Sequence, residues 1–144
     1  MYAAAVKEQY GSCWARASEA RSSPASRVVC LGLGSPGESD KARAQLVLLS
    51  ALVAGSTSVL EVYDPVLSED DSELIAEHLA SLQVKTNARV PTKDELRASH
   101  DEPVFFYMPH CPRSLYELVL ELNASCPASA MLILGNRLDM YTDP

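Results

Sequence analysis

Apolar and polar positions change period several times along this chain, and the changes mark out its elements. Tyr2, Val6, Tyr10 and Trp14 lie four apart, with Cys13 and Ala17 alongside, which predicts one apolar face of a helix over residues 2–20. Arg21 to Ser26, with Pro24 inside it, reads as a linker. Arg27 to Leu33 is then a nearly unbroken apolar run, the pattern of a strand buried on both faces as parallel strands are. Helical spacing takes over from about Asp40 to Ala54 and stops at Gly55, the residue a left-handed cap favours. Val59 to Tyr63 predicts a second strand, and Ser68 the N-cap of a helix that runs to about Leu82. Val84 to Thr86 reads as a short third strand, and Thr92-Lys93-Asp94-Glu95 as the capping box of a short helix. Val104 to Met108 predicts a fourth strand, Pro112 to Asn123 a helix, and Met131 to Leu134 the last strand, which ends in Gly135-Asn136.

Strands that alternate with helices imply parallel βαβ units with right-handed crossovers. The expected class is α/β: a Rossmann-like three-layer sandwich, with a mainly parallel five-stranded sheet in the order 3-2-1-4-5. A chain of 144 residues fits one domain with a sizeable core. That domain would comprise the N-terminal helix 2–20, the linker 21–26 and the core 27–143.

Composition narrows the function classes. The net charge of −7 argues against a nucleic-acid surface, because phosphate contacts need clustered Lys and Arg. No apolar stretch reaches the ~18 residues a membrane helix requires. The start, Met1 to Glu8, lacks the basic segment and apolar core of a secretory signal. Cys13, Cys30, Cys111 and Cys126 show no C-x-x-C spacing, so reduced thiols in the cytoplasm or nucleus are expected.

Four polar signals follow predicted strand ends, where open α/β sheets bind ligands. Gly32-Leu33-Gly34-Ser35-Pro36-Gly37 has the G-x-G-x-x-G spacing that lets a backbone approach a phosphate, although Pro36 removes one N–H. Asp64 ends the second strand, where a ribose-binding carboxylate would sit. His110-Cys111 stands between Pro109 and Pro112, at the start of a helix whose dipole would favour a thiolate. Asn136 follows Gly135. With strands one and four adjacent, Gly32, Gly34, His110 and Cys111 would line one crevice, with Ser35 in the same loop and Asp64 and Asn136 on the flanks.

The same strings resemble the SRR-like domain family, named for Sensitivity to Red Light Reduced. The residues that carry the resemblance are Cys30-Leu31-Gly32-Leu33-Gly34, Gln45-Leu46, Tyr63-Asp64-Pro65, Met108-Pro109-His110-Cys111-Pro112 with Leu115-Tyr116, and Gly135-Asn136 before Tyr141. Arg137-Leu138 departs from the small and aromatic residues that usually follow Gly-Asn. The resemblance implies regulation more than catalysis, with links to light signalling, the circadian clock and control of heme biosynthesis.

Three classes of function stay open. A regulatory protein that binds a small ligand or a protein partner stands first. A nucleotide- or S-adenosylmethionine-dependent transferase would use Gly32, Gly34 and Asp64; thiolate catalysis by Cys111 is weakened because adjacent residues diverge in direction. A heme sensor would use Cys111 as its axial ligand, the cysteine lying at a helix N-terminus. Gln45 is expected to satisfy a buried backbone group, and His78 to be a core or boundary residue. Glu69-Asp70-Asp71 is explained as capping charge.

Overall fold

The computed structural model describes residues 25–56 and 58–136. The predicted helix over 2–20 and Tyr141 lie outside the described residues. Five strands carry the fold: β1 (Arg27–Leu31), β2 (Val59–Tyr63), β3 (Gln83–Asn87), β4 (Val104–Met108) and β5 (Met131–Gly135). Every pairing is parallel and the order is β3-β2-β1-β4-β5, as the alternation of elements predicts. Among the described residues three helices connect them: α1 (Asp40–Val53), α2 (Glu69–His78) and α3 (Arg113–Leu122).

Side chains alternate across a strand, so each central strand feeds two cores. On one face Val28, Cys30, Leu60, Val62, Phe105 and Tyr107 pack against Leu46, Leu49 and Leu52 of α1 and Ile75 of α2. On the other Val29, Leu31, Phe106 and Met108 pack against Tyr116 and Val119 of α3 and against Leu96. β4 is buried at all five positions, as a central strand covered on both sides should be.

The ends of elements differ from the sequence expectation for local reasons. β1 stops at Leu31, not Leu33, because Gly32 turns to a φ of +69°. α2 ends at His78, four residues early, although Leu79 is still buried. His78 itself is exposed, so the expectation of a core or boundary histidine is corrected. The Thr92–Glu95 capping box forms, with Thr92 N–H donating to Glu95 Oε2 at 2.7 Å, yet it opens only a 3-10 turn at Asp94–Leu96.

That turn belongs to a long connection between β3 and β4, and buried Asn123 fastens it to α3. Asn123 Oδ1 accepts from Ala98 N–H at 2.7 Å, and its amide nitrogen donates to the carbonyls of Leu96 and Val119, each at 2.8 Å. At the opposite end of the connection Arg89 forks onto Glu95, at 2.9 and 2.7 Å, and lies 5.3 Å from the centre of the Tyr63 ring.

Candidate functional site

The C-terminal ends of β1, β2, β4 and β5 bring the sequence-predicted residues to one edge of the sheet, where they form separate contacts. Gly32, His110 and Cys111 meet directly. A Cβ built on Gly32 would lie 3.1 Å from Cys111 Sγ and 3.6 Å from the His110 carbonyl oxygen. Gly32 is therefore required twice, by its φ and by the approach of the β4–α3 turn.

Gly34 pairs with Asp64. Its N–H donates to Asp64 Oδ2 at 2.9 Å, while Oδ1 takes the N–H of Val66 at 3.0 Å. Ser35 and Gly37 turn to Asp71, a carboxylate whose place in the sequence predicts only capping charge. Asp71 Oδ1 accepts from Gly37 N–H at 2.8 Å and from Ser35 Oγ at 3.0 Å, and Oδ2 accepts from Ser68 N–H and Oγ. Burial acts to raise the Asp71 carboxyl, but these donors outweigh it and hold the group below the usual carboxylate range. Ser68 is the N-cap expected from the sequence, and the structure adds that Asp71 closes a capping box with it; the second use of the carboxylate depends on the fold bringing β1's loop to α2.

This arrangement bears on phosphate binding. The N–H groups of Gly34 and Gly37, which a phosphate would seek, already donate to Asp64 and Asp71. An incoming phosphate would meet two carboxylates and a proline. Asp64 braces the glycine loop through Oδ2 and its own turn through Oδ1.

His110 and Cys111 point to opposite faces of the sheet. Cys111 is buried with the α3 side, and its thiol donates to the Leu31 carbonyl at 3.3 Å. Burial first, and the nearby Asp64 second, push this thiol up to about 12. The expectation of a thiolate favoured by the helix dipole is thus corrected: desolvation outweighs the dipole. A protonated, enclosed sulfur packed on Gly32 does not fit an axial heme ligand. Among the described residues no group of three or more His, Cys, Asp or Glu could hold a metal ion.

His110 is exposed and turns toward α1. Its Nε2 lies 3.2 Å from Gln45 Nε2, and Gln45 Oε1 accepts from the hydroxyl of fully buried Tyr107 at 2.6 Å. Gln45 therefore links two side chains, where the sequence reading expected it to satisfy backbone. Partial burial, and then the charge of Lys41, hold the His110 ring below its usual pKa, so it is neutral at pH 7.

Asn136 stands apart from the glycine loop, beyond β4. Its N–H donates to the Tyr116 hydroxyl at 2.8 Å, and that hydroxyl donates to the Met108 carbonyl. A side chain at position 135 would run into the Tyr116 ring, so Gly135 and Tyr116 require each other in this fold.

Comparison with known proteins returns the same family as the motifs. The SRR1 domain model matches residues 5–144. The SRR1-like protein of Mus musculus is 35% identical over 114 residues, 76% of this chain and 43% of that protein. Protein SENSITIVITY TO RED LIGHT REDUCED 1 of Arabidopsis thaliana is 29% identical over 121 residues, 81% of this chain and 42% of that protein. This chain thus spans about two fifths of the length of either relative. No solved structure matches it significantly. Among the described residues no helix is long and apolar enough to cross a membrane.

Proposed function

Since this chain belongs to the SRR1 domain family, we propose that it is a regulatory protein that acts by binding at the C-terminal edge of the sheet, through His110. The occupant is a small ligand or a segment of a protein partner that carries no phosphate. The setting is the one the family resemblance implies: light or circadian signalling or the regulation of heme biosynthesis, in the cytoplasm or nucleus.

One observation carries this reading. Most polar groups of the motif residues are spent on one another, as Gly34 on Asp64, Ser35 and Gly37 on Asp71, Cys111 on Leu31 and Tyr116 on Asn136, whereas His110 faces solvent. A catalytic pairing of His110 with Cys111 lacks support. The thiol is protonated and enclosed on one side of the sheet while the ring turns to α1 on the other. The transferase reading loses its phosphate-binding loop to the two carboxylates, which leaves S-adenosylmethionine as its surviving nucleoside ligand.

A thermal-shift screen tests the reading, with S-adenosylmethionine, NAD⁺, ATP, hemin and a panel of metabolites against wild type and His110→Ala. A ligand at one hundred times its Kd stabilises the native state by about 2.7 kcal/mol, which is readily seen as a rise in Tm. The expected hit lacks phosphate and loses its effect in His110→Ala. Stabilisation by ATP or NAD⁺, undiminished in His110→Ala, would overturn the proposal.

A further inference from the structure

Buried Tyr107, half-buried Gln45 and exposed His110 form a line of side chains from the core to the surface, and the line has a direction. Tyr107 lies within β4 and has no solvent exposure. Its hydroxyl lies 2.6 Å from Gln45 Oε1 and 3.0 Å from the Gln45 backbone carbonyl. With the amide oxygen on Tyr107, the amide nitrogen faces His110 Nε2 at 3.2 Å. An amide N–H donates only to an unprotonated ring nitrogen, so this orientation of Gln45 requires the His110 proton to sit on Nδ1. Among the described residues nothing accepts from that Nδ1. Lys41 stands four residues before Gln45 on α1, and its charge is felt at the ring.

We propose that Gln45 and Tyr107 are positioning residues for His110, holding its neutral ring as the Nδ1–H tautomer so that Nδ1 donates to a ligand carboxylate whose charge Lys41 complements. This rests on the binding reading above and deepens it by naming the recognised group. Without the relay a solvated imidazole samples both tautomers, and the ligand would have to select one at a cost in affinity. The carboxylate is that of a small acid or of an acidic peptide side chain. Both offer the same acceptor.

Long-range ¹H–¹⁵N correlation of the imidazole rings reports which nitrogen bears the proton, with His110→Ala assigning the signal. Wild type at pH 7 should show His110 as the Nδ1–H form, while exposed His78 shows a mixture. Gln45→Leu should return His110 to a mixture. Gln45→Glu should move the proton to Nε2 and raise the ring's pKa, because a carboxylate accepts where the amide donated. Gln45 is not in the packed core, so these variants keep the test clear of the folding loss that Tyr107→Phe could bring.

Succinate and a capped Asp-Glu dipeptide are then titrated at constant ionic strength. Saturable shifts at His110, at least fivefold weaker in Gln45→Leu and weakened in Lys41→Gln, are expected, and whichever probe saturates first names the source. A wild-type Nε2–H ring, or no saturation by either probe, would overturn the inference. A ligand from the thermal-shift screen that needs His110 but binds Gln45→Leu unchanged would sink the positioning role alone. One indifferent to both substitutions would sink the binding reading beneath it.

Discussion

At the residue scale the two carboxylates of the glycine loop show how fold and chemistry trade places. Asp71 accepts from four donors while buried, so removing its charge leaves donors without an adequate acceptor. Asp71→Asn should cost about 2–3 kcal/mol in urea denaturation at pH 7. Because the folded group titrates below its ordinary value of 3.8, its contribution is complete above that pH and is lost as pH falls through the folded pKa. The variant should therefore lose less stability than wild type on acidification below pH 4, and equal slopes would contradict this. Gly32→Ala meets two obstacles, a φ of +69° and the Cys111 sulfur. Adding Cys111→Ala should recover the steric part and leave about 1–2 kcal/mol of backbone cost, measurable by a double-mutant cycle.

At the scale of elements, the strands were read most surely. β2 and β4 fall at the residues their patterns mark: β4 is apolar throughout, as a strand buried on both faces should be, and β2 departs only at half-buried Glu61. Helix ends were less legible. Leu79 and Leu82 continue the apolar spacing of α2, but they serve the turn into β3, with Leu82 N–H donating to the Leu79 carbonyl at 2.9 Å. The Thr92 capping box was legible too, though what it caps is one 3-10 turn. Asn123 gave no signal in the sequence, since its three bonds join pieces 25–27 residues distant as well as its own helix. Asn123→Ala should cost about 2–4 kcal/mol, as three buried backbone groups lose their partner. Hydrogen exchange at Ala98 should quicken beyond what the global loss explains, and protection there unchanged would refute the fastening role.

At the scale of the whole molecule, the sheet order follows from alternation of elements and handed crossovers, so the meeting of β1 and β4 was predictable. The residues that gather at their ends were predictable as well. What the sequence did not disclose is how they divide. Cys111, Asp64, Tyr116 and the glycines cross-brace the loops, while His110, reached through Gln45, is left at the surface. Periodicity places a residue on an element, but the partner of a polar atom depends on which loops the fold brings together.

Urea denaturation of the motif variants, measured side by side at pH 7, tests that division most directly. His110→Ala should lie within about 0.5 kcal/mol of wild type, as exposed positions do. Tyr116→Phe, which removes the hydroxyl that accepts from Asn136 N–H and donates to the Met108 carbonyl, and Cys111→Ser, which puts a more polar hydroxyl among apolar neighbours, should each lose about 1–3 kcal/mol. A His110→Ala variant destabilised as much as these two would make the histidine one more brace, and would contradict the account.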